Sequence, residues 1–131
     1  MKTKTIITWA GVLGVIAVTM GAMGAHALKA ILTEESLQSF LTGTRYNMYH
    51  ALALIGLISL QPSLNEKYFR ISTYCFTIGT VLFSGSIYLL STSSITGLAI
   101  SNVLGPITPI GGLVLITGWF SIILGALRFK S

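Results

Sequence analysis

The placement of charge limits what this chain can fold into more than any other feature. No Lys, Arg, Asp or Glu falls between Ile6 and Leu28, between Tyr46 and Asn65, or between Ile71 and Leu127. A helix crossing a bilayer needs roughly 20 mainly apolar residues, because the hydrocarbon layer is about 30 Å thick and each residue adds about 1.5 Å. The first two runs hold one span each. The third holds two, joined by an uncharged loop from Ser91 to Asn102. The expected fold is all-α, a four-helix transmembrane bundle forming a single domain over residues 1–131, with spans at about 6–28, 46–61, 68–90 and 107–127. The charged fraction of 8% agrees, since soluble domains carry about 25%.

The net charge of +5 invites a nucleic-acid reading, but the positions of the basic residues argue against nucleic acid as a partner. Lys2, Lys4, Lys67, Arg70, Arg128 and Lys130 all fall at the same end of a four-span hairpin series. Basic residues mark the cytoplasmic side, so both termini are expected in the cytoplasm. The opposite side has only Lys29 and Arg45, offset by Glu34 and Glu35.

The beginning imitates a secretory signal, with Lys2 and Lys4 before an apolar run and Ala25-His26-Ala27 as a cleavage-like site. The run is longer than the roughly 7–15 residues of a signal core and is punctuated by glycines, so it is read as a retained first helix. Within it Ala17, Gly21 and Ala25 suggest a stripe of small residues for close helix packing. Thr33 to Leu41 then reads as a short interfacial helix between helices one and two. Thr33 is its N-cap, Glu34 and Glu35 sit in its first turn, and Leu37, Phe40 and Leu41 form an apolar face. The residues leave open whether it runs on into helix two through Gly43.

Gly105-Pro-Ile-Thr-Pro-Ile-Gly-Gly112 is the structural motif that opens the last span. Pro106 and Pro109 both lack an amide hydrogen and belong at a helix entry. Gly105 precedes them, and Gly111 and Gly112 leave the first turn bare enough for another backbone or a ligand to come close. Gly111, Gly118 and Gly125 recur every seven residues and define a seam. The small-residue seams of helices one and four suit packing within the chain or against a second copy or another membrane protein. Trp119 reads as core or lipid-facing bulk, Ser84 and Gly85 as packing residues, and Cys75, the single cysteine, as a small apolar side chain.

Tracing the hairpins brings the end of helix one, the start of helix two, the end of helix three and the start of helix four to one membrane face. His26, Lys29, Arg45, Tyr46, Asn47, His50, Ser86, Tyr88 and Thr108 are therefore expected to gather at the extracytoplasmic leaflet and to line a polar pocket. The entry to helix four adds free N–H groups that favour an anion. No carboxylate lies in any span, so a proton- or cation-coupled relay lacks its usual residues. Two histidines without a nearby Cys or carboxylate fall short of a zinc site. Hydrolysis lacks an orienting acid and a nucleophile motif, so no catalytic residue is assigned. No cofactor is expected; bis-histidine haem ligation by His26 and His50 is the alternative, along with permeation of a small solute.

Four blocks carry a resemblance: Gly21-Ala-Met-Gly-Ala-His-Ala-Leu-Lys29, Arg45-Tyr-Asn-Met-Tyr-His-Ala-Leu-Ala53, Phe83-Ser-Gly-Ser-Ile-Tyr-Leu-Leu90, and the Gly105–Gly112 motif followed by Gly118-Trp119. The chain resembles a family of small membrane proteins catalogued as domain of unknown function 423, and the animal transmembrane protein 256 looks like a relative. The resemblance implies four helices in a bacterial inner membrane, and it implies no activity. The function expected is a non-enzymatic one, binding membrane lipids or a partner protein through His26, Lys29, Arg45 and His50.

Overall fold

The computed structural model describes residues 1–129, so Lys130, one of the expected cytoplasmic charges, lies outside the described residues. Six α-helices make up the fold, and no strand occurs among the described residues. Helix α1 spans Thr3–Ala25, α2 Glu34–Leu60, α3 Glu66–Ser91 and α6 Ile107–Leu127; α4 (Ser93–Thr96) and α5 (Ser101–Leu104) are single turns between α3 and α6. Among the described residues, three stretches are long and apolar enough to cross a membrane: Thr3–Ala30, Glu66–Ser91 and Ser101–Leu127. Helix α2 is also long, but its N-terminal half carries Glu34, Glu35 and Arg45.

Each long helix packs against the next, α1 on α2, α2 on α3 and α3 on α6. The pairs run antiparallel. Gly111, Gly118 and Gly125 of α6 descend past Phe83, Phe76 and Tyr68 of α3 in that order. A methyl group added at Gly111 would lie 2.5 Å from the backbone nitrogen of Phe83, and one at Gly118 would lie 2.7 Å from the Phe76 ring. The seven-residue glycine seam therefore faces α3, bringing two backbones together where lipid supplies no hydrophobic drive for association. Helix α3 answers with Gly79, whose missing methyl would sit 3.1 Å from the Leu115 amide nitrogen. Polar contacts fasten the same seam. The Ser72 hydroxyl donates to the Gly118 carbonyl at 3.0 Å, and the Asn65 amide donates to the Gly125 carbonyl at 3.1 Å.

The small stripe of α1 differs from expectation. Its buried face is Ile6, Ala10, Leu13, Ala17 and Gly24, whereas Ala25 is exposed. Residues four apart drift around a helix by about 40° per step, while residues seven apart drift only about 20°, so Ala10, Ala17 and Gly24 stay on the α2 contact. The short interfacial helix expected between the first two spans is likewise not separate. Thr33 caps it, accepting from the Ser36 amide at 3.2 Å, but the helix continues unbroken to Leu60. Gly43 does not interrupt it. A methyl there would lie 3.0 Å from Ile87 and 3.1 Å from the Tyr88 ring, so this glycine serves a close approach of α3.

Pro106 stands at the N-cap of α6 with φ −67°, and Pro109 falls within its first turn, as the motif predicts. The stretch before it is not plain loop, because α4 and α5 are helical turns separated by Gly97 at φ 68°.

Candidate functional site

The polar residues of the long helices do not form one pocket; they divide among separate layers and faces. Nearest the α6 entry, the Thr108 and Ser86 hydroxyls lie 2.6 Å apart. Ser86 donates its proton to the Phe83 carbonyl at 2.9 Å, so Thr108 is the donor between them. The pair is complete within itself and links α3 to α6.

On the α2/α6 side, His50 is buried at 3% exposure against Phe76 and Trp119, with ring centroids 5.2 and 6.1 Å away. Its Nδ1 lies 2.8 Å from the Tyr46 carbonyl. A carbonyl only accepts, so Nδ1 carries the proton and Nε2 offers a lone pair. That lone pair accepts from Trp119 Nε1 at 3.2 Å. Both ring nitrogens are thus used, in a neutral imidazole. Trp119 lies roughly 16 Å along α6 from Thr108 at about 1.5 Å per residue, so His50 sits far deeper than the Ser86–Thr108 pair. Trp119, read from the sequence as bulk, is the partner that reading missed. Only the contact across the helices reveals it.

His26, Lys29 and Arg45 are placed elsewhere. His26 is the exposed C-cap of α1, Lys29 is exposed in the turn that follows, and Arg45 is exposed on α2. Tyr46 is 41% exposed and tilts against Phe83 at 5.0 Å. The two histidines do not meet, because the ring neighbours of His50 are Tyr46, Phe76 and Trp119. No group of three or more His, Cys, Asp or Glu residues suited to a metal ion occurs among the described residues. Pro109, in the first turn of α6, lacks one of the N–H donors of that entry.

The third arrangement lies in the neighbouring groove, where α1 and α3 flank α2. A cleft of about 170 Å³ opens there, lined by Leu13 and Ile16 of α1, Asn47 of α2, and Thr80, Val81, Ser84, Gly85 and Tyr88 of α3. Asn47 is 1% exposed, and its Nδ2 donates to the Tyr88 hydroxyl at 3.1 Å. Tyr88 is held in turn by the Phe40 ring, 5.1 Å away. The remaining amide atom, Asn47 Oδ1, has no partner, and neither has the Ser84 hydroxyl, also on a residue 1% exposed.

Those two atoms stand apart from the other buried polar groups among the described residues. The hydroxyls of Ser72, Thr73, Thr77, Thr80, Ser86, Ser91 and Ser121 all donate to backbone carbonyls of their own helix. Ser84, on the same helix as most of them, does not. Gly85 beside it has nothing within 4 Å of where a methyl would be, so the mouth of the cleft is open. An unpaired buried polar group costs about 1–3 kcal/mol, and native structures seldom keep one without a reason.

A model of the family described as protein of unknown function DUF423 matches residues 20–112. The chain belongs to this family. Among its curated relatives, the UPF0382 membrane protein of Haemophilus influenzae is 37% identical over 131 residues, covering 100% of this chain and 99% of the relative. The UPF0382 membrane protein YwdK of Bacillus subtilis is 35% identical, with 96% and 98% of the two chains covered. The UPF0382 inner membrane protein YgdD of Escherichia coli is 33% identical, with 99% and 95% covered. No solved structure matches the chain. The family model reaches from the end of α1 to Gly112 and so takes in Asn47, His50, Ser84, Tyr88 and the entry to α6.

Proposed function

We propose that the protein is a non-enzymatic membrane protein that threads the bilayer four times, keeps both termini in the cytoplasm, and holds a membrane lipid in the α1/α3 cleft at its extracytoplasmic half. The observation that carries the reading is the pair of unpartnered buried atoms, Asn47 Oδ1 and Ser84 Oγ, on residues that line a mainly apolar cleft. In hydrocarbon such atoms meet no water, so a molecule arriving from the lipid phase is the natural partner. The polar residues anticipated as ligands serve other ends. His50 is saturated by Tyr46 and Trp119, and His26, Lys29 and Arg45 lie exposed, where they suit an interface with lipid headgroups.

The fourth crossing is α2. Its uncharged part, Tyr46 to Leu60, packs between α1 and α3, while Glu34 and Glu35 extend the helix into water. Lys2, Lys4, Lys67, Arg70 and Arg128 then share one side, favouring the cytoplasm. In a Cys75→Ala background, a membrane-impermeant thiol reagent applied outside the cell should label Ser94→Cys and spare Lys67→Cys; the reverse would invert the chain.

Lipid binding is tested by native mass spectrometry of the protein released from mild detergent. Gly85→Leu fills the mouth of the cleft without removing a hydrogen-bonding group, and it should strip the lipid that the unaltered protein retains. Equal retention by both proteins would overturn the reading.

A further inference from the structure

We propose that the lipid taken by the α1/α3 cleft is uncharged and carries a free hydroxyl, as diacylglycerol does, with that hydroxyl bridging Asn47 Oδ1 and Ser84 Oγ. The inference rests on the lipid-binding reading above and names the chemistry of its ligand.

The two atoms specify a complementary group. With its Nδ2 committed to Tyr88, Asn47 presents an amide oxygen that only accepts, so the ligand must bring a donor. The Ser84 hydroxyl is free to donate, because unlike its neighbours it does not bond back to its own helix. An alcohol supplies both halves: its proton goes to Asn47 Oδ1 and its oxygen accepts from Ser84. An ester or ketone has no proton to give, and an ammonium has no lone pair to receive one.

Charge and size argue for a small neutral head. None of the residues lining the cleft is ionisable at neutral pH, and a phosphate buried there would lose its hydration without a counter-charge. About 170 Å³ suits a hydroxymethyl group and the first carbons of its chains, and is tight for a phospholipid headgroup. Ser84 lies roughly 10 Å in from the C-terminal end of α3, at about 1.5 Å per residue. That is below the headgroup layer, where an uncharged glycerol backbone can sink and a charged one does not. The open flank at Gly85 gives lateral entry from the bilayer.

The test uses full-length protein in nanodiscs with two probes, 1,2-dioleoylglycerol and its 3-O-methyl ether, in which a methyl group replaces the proton offered to Asn47. Binding is read by native mass spectrometry, and site occupancy by competition with the unlabelled lipid. Dioleoylglycerol should bind and the ether should bind roughly five- to tenfold more weakly, the loss expected for one buried hydrogen bond. Asn47→Leu should erase the difference between the probes, Ser84→Ala should weaken both alike, and Gly85→Leu should exclude both; unfolding curves for each variant separate this from misfolding. Equal binding of the two probes, both lost on Gly85→Leu, would overturn the hydroxyl inference and leave the lipid-binding reading standing. So would retention of phospholipid with no dioleoylglycerol bound. If neither probe nor any cellular lipid responds to Gly85→Leu, both readings fall, and water is the remaining occupant.

Discussion

The two sides of α2 treat buried polar groups in opposite ways. Toward α6, His50 has a carbonyl on one ring nitrogen and an indole N–H on the other, so the residue that looks most functional in the sequence is fully occupied by the protein. Toward α1, Asn47 has one amide atom paired and one left over, and Ser84 has none of its hydrogen-bonding capacity met. Where hydrocarbon replaces water, a satisfied polar group holds helices together, while an unsatisfied one awaits a ligand. Polarity by itself marks neither; the completeness of its bonding does.

The largest expected difference between the two sides is steric. Gly118 and Gly85 are both glycines within long helices, but a methyl on the first would strike the Phe76 ring at 2.7 Å and Cys75 Cβ at 3.0 Å, while one on the second meets nothing within 4 Å. Gly118→Leu should force α6 off α3 and destabilise the fold by about 3 kcal/mol, the upper end of ordinary overpacking. Gly85→Leu should change stability by less than about 1 kcal/mol, with helix propensity favouring the leucine. Reversible unfolding in mixed detergent micelles measures both. Comparable losses for the two variants would mean that the α1/α3 cleft is closed.

A middle-sized effect is expected at the histidine. His50→Leu leaves the Trp119 indole N–H without its acceptor in an apolar setting and removes a tie between α2 and α6, for a loss of about 1–3 kcal/mol. Asn47→Leu removes a side chain that is already half unsatisfied, and its cost should stay below about 1 kcal/mol. Indole fluorescence gives an independent reading, since freeing the Trp119 N–H alters its emission in His50→Leu and should not in Asn47→Leu. Equal costs at the two positions would erase the distinction between the sides.

Much of this architecture is legible in the residues. Uncharged runs give the long helices because bilayer thickness dictates length, and Gly111, Gly118 and Gly125 declare the α3 contact because seven-residue spacing keeps one face. The Thr33 cap and the Pro106 entry follow from local chemistry alone. The site is less legible. Topology correctly brings Ser86 to Thr108, and gathering Asn47 and Tyr88 at one level anticipates their contact. It cannot tell which side of α2 each residue takes, and Asn47 and His50, three positions apart, end up serving different grooves. Ser84 is the clearest loss. In sequence it is one small hydroxylated residue among many, and only the missing bond to its own helix distinguishes it.

The smallest effect is the sharpest discriminator, because it compares two serines of one helix. Ser72 and Ser84 are both on α3 and almost wholly buried, at 0% and 1% exposure. The Ser72 hydroxyl is shared between the Tyr68 carbonyl and the Gly118 carbonyl across the seam, both at 3.0 Å. Ser72→Ala removes that proton from two acceptors and should cost about 1 kcal/mol of stability. Ser84→Ala deletes a group that bonds to nothing, so the lipid-free protein should be more stable by about 1 kcal/mol, the lower end of what an unmet buried polar atom costs. Adding dioleoylglycerol should reverse the order at position 84. A ligand that binds only the folded state raises apparent stability with the logarithm of its affinity, and the alanine variant would forgo part of that gain. A lipid-dependent gain in the unaltered protein that is smaller in Ser84→Ala and intact in Ser72→Ala would assign the free hydroxyl to the ligand. Identical gains in all three proteins would return Ser84 to the ranks of packing residues.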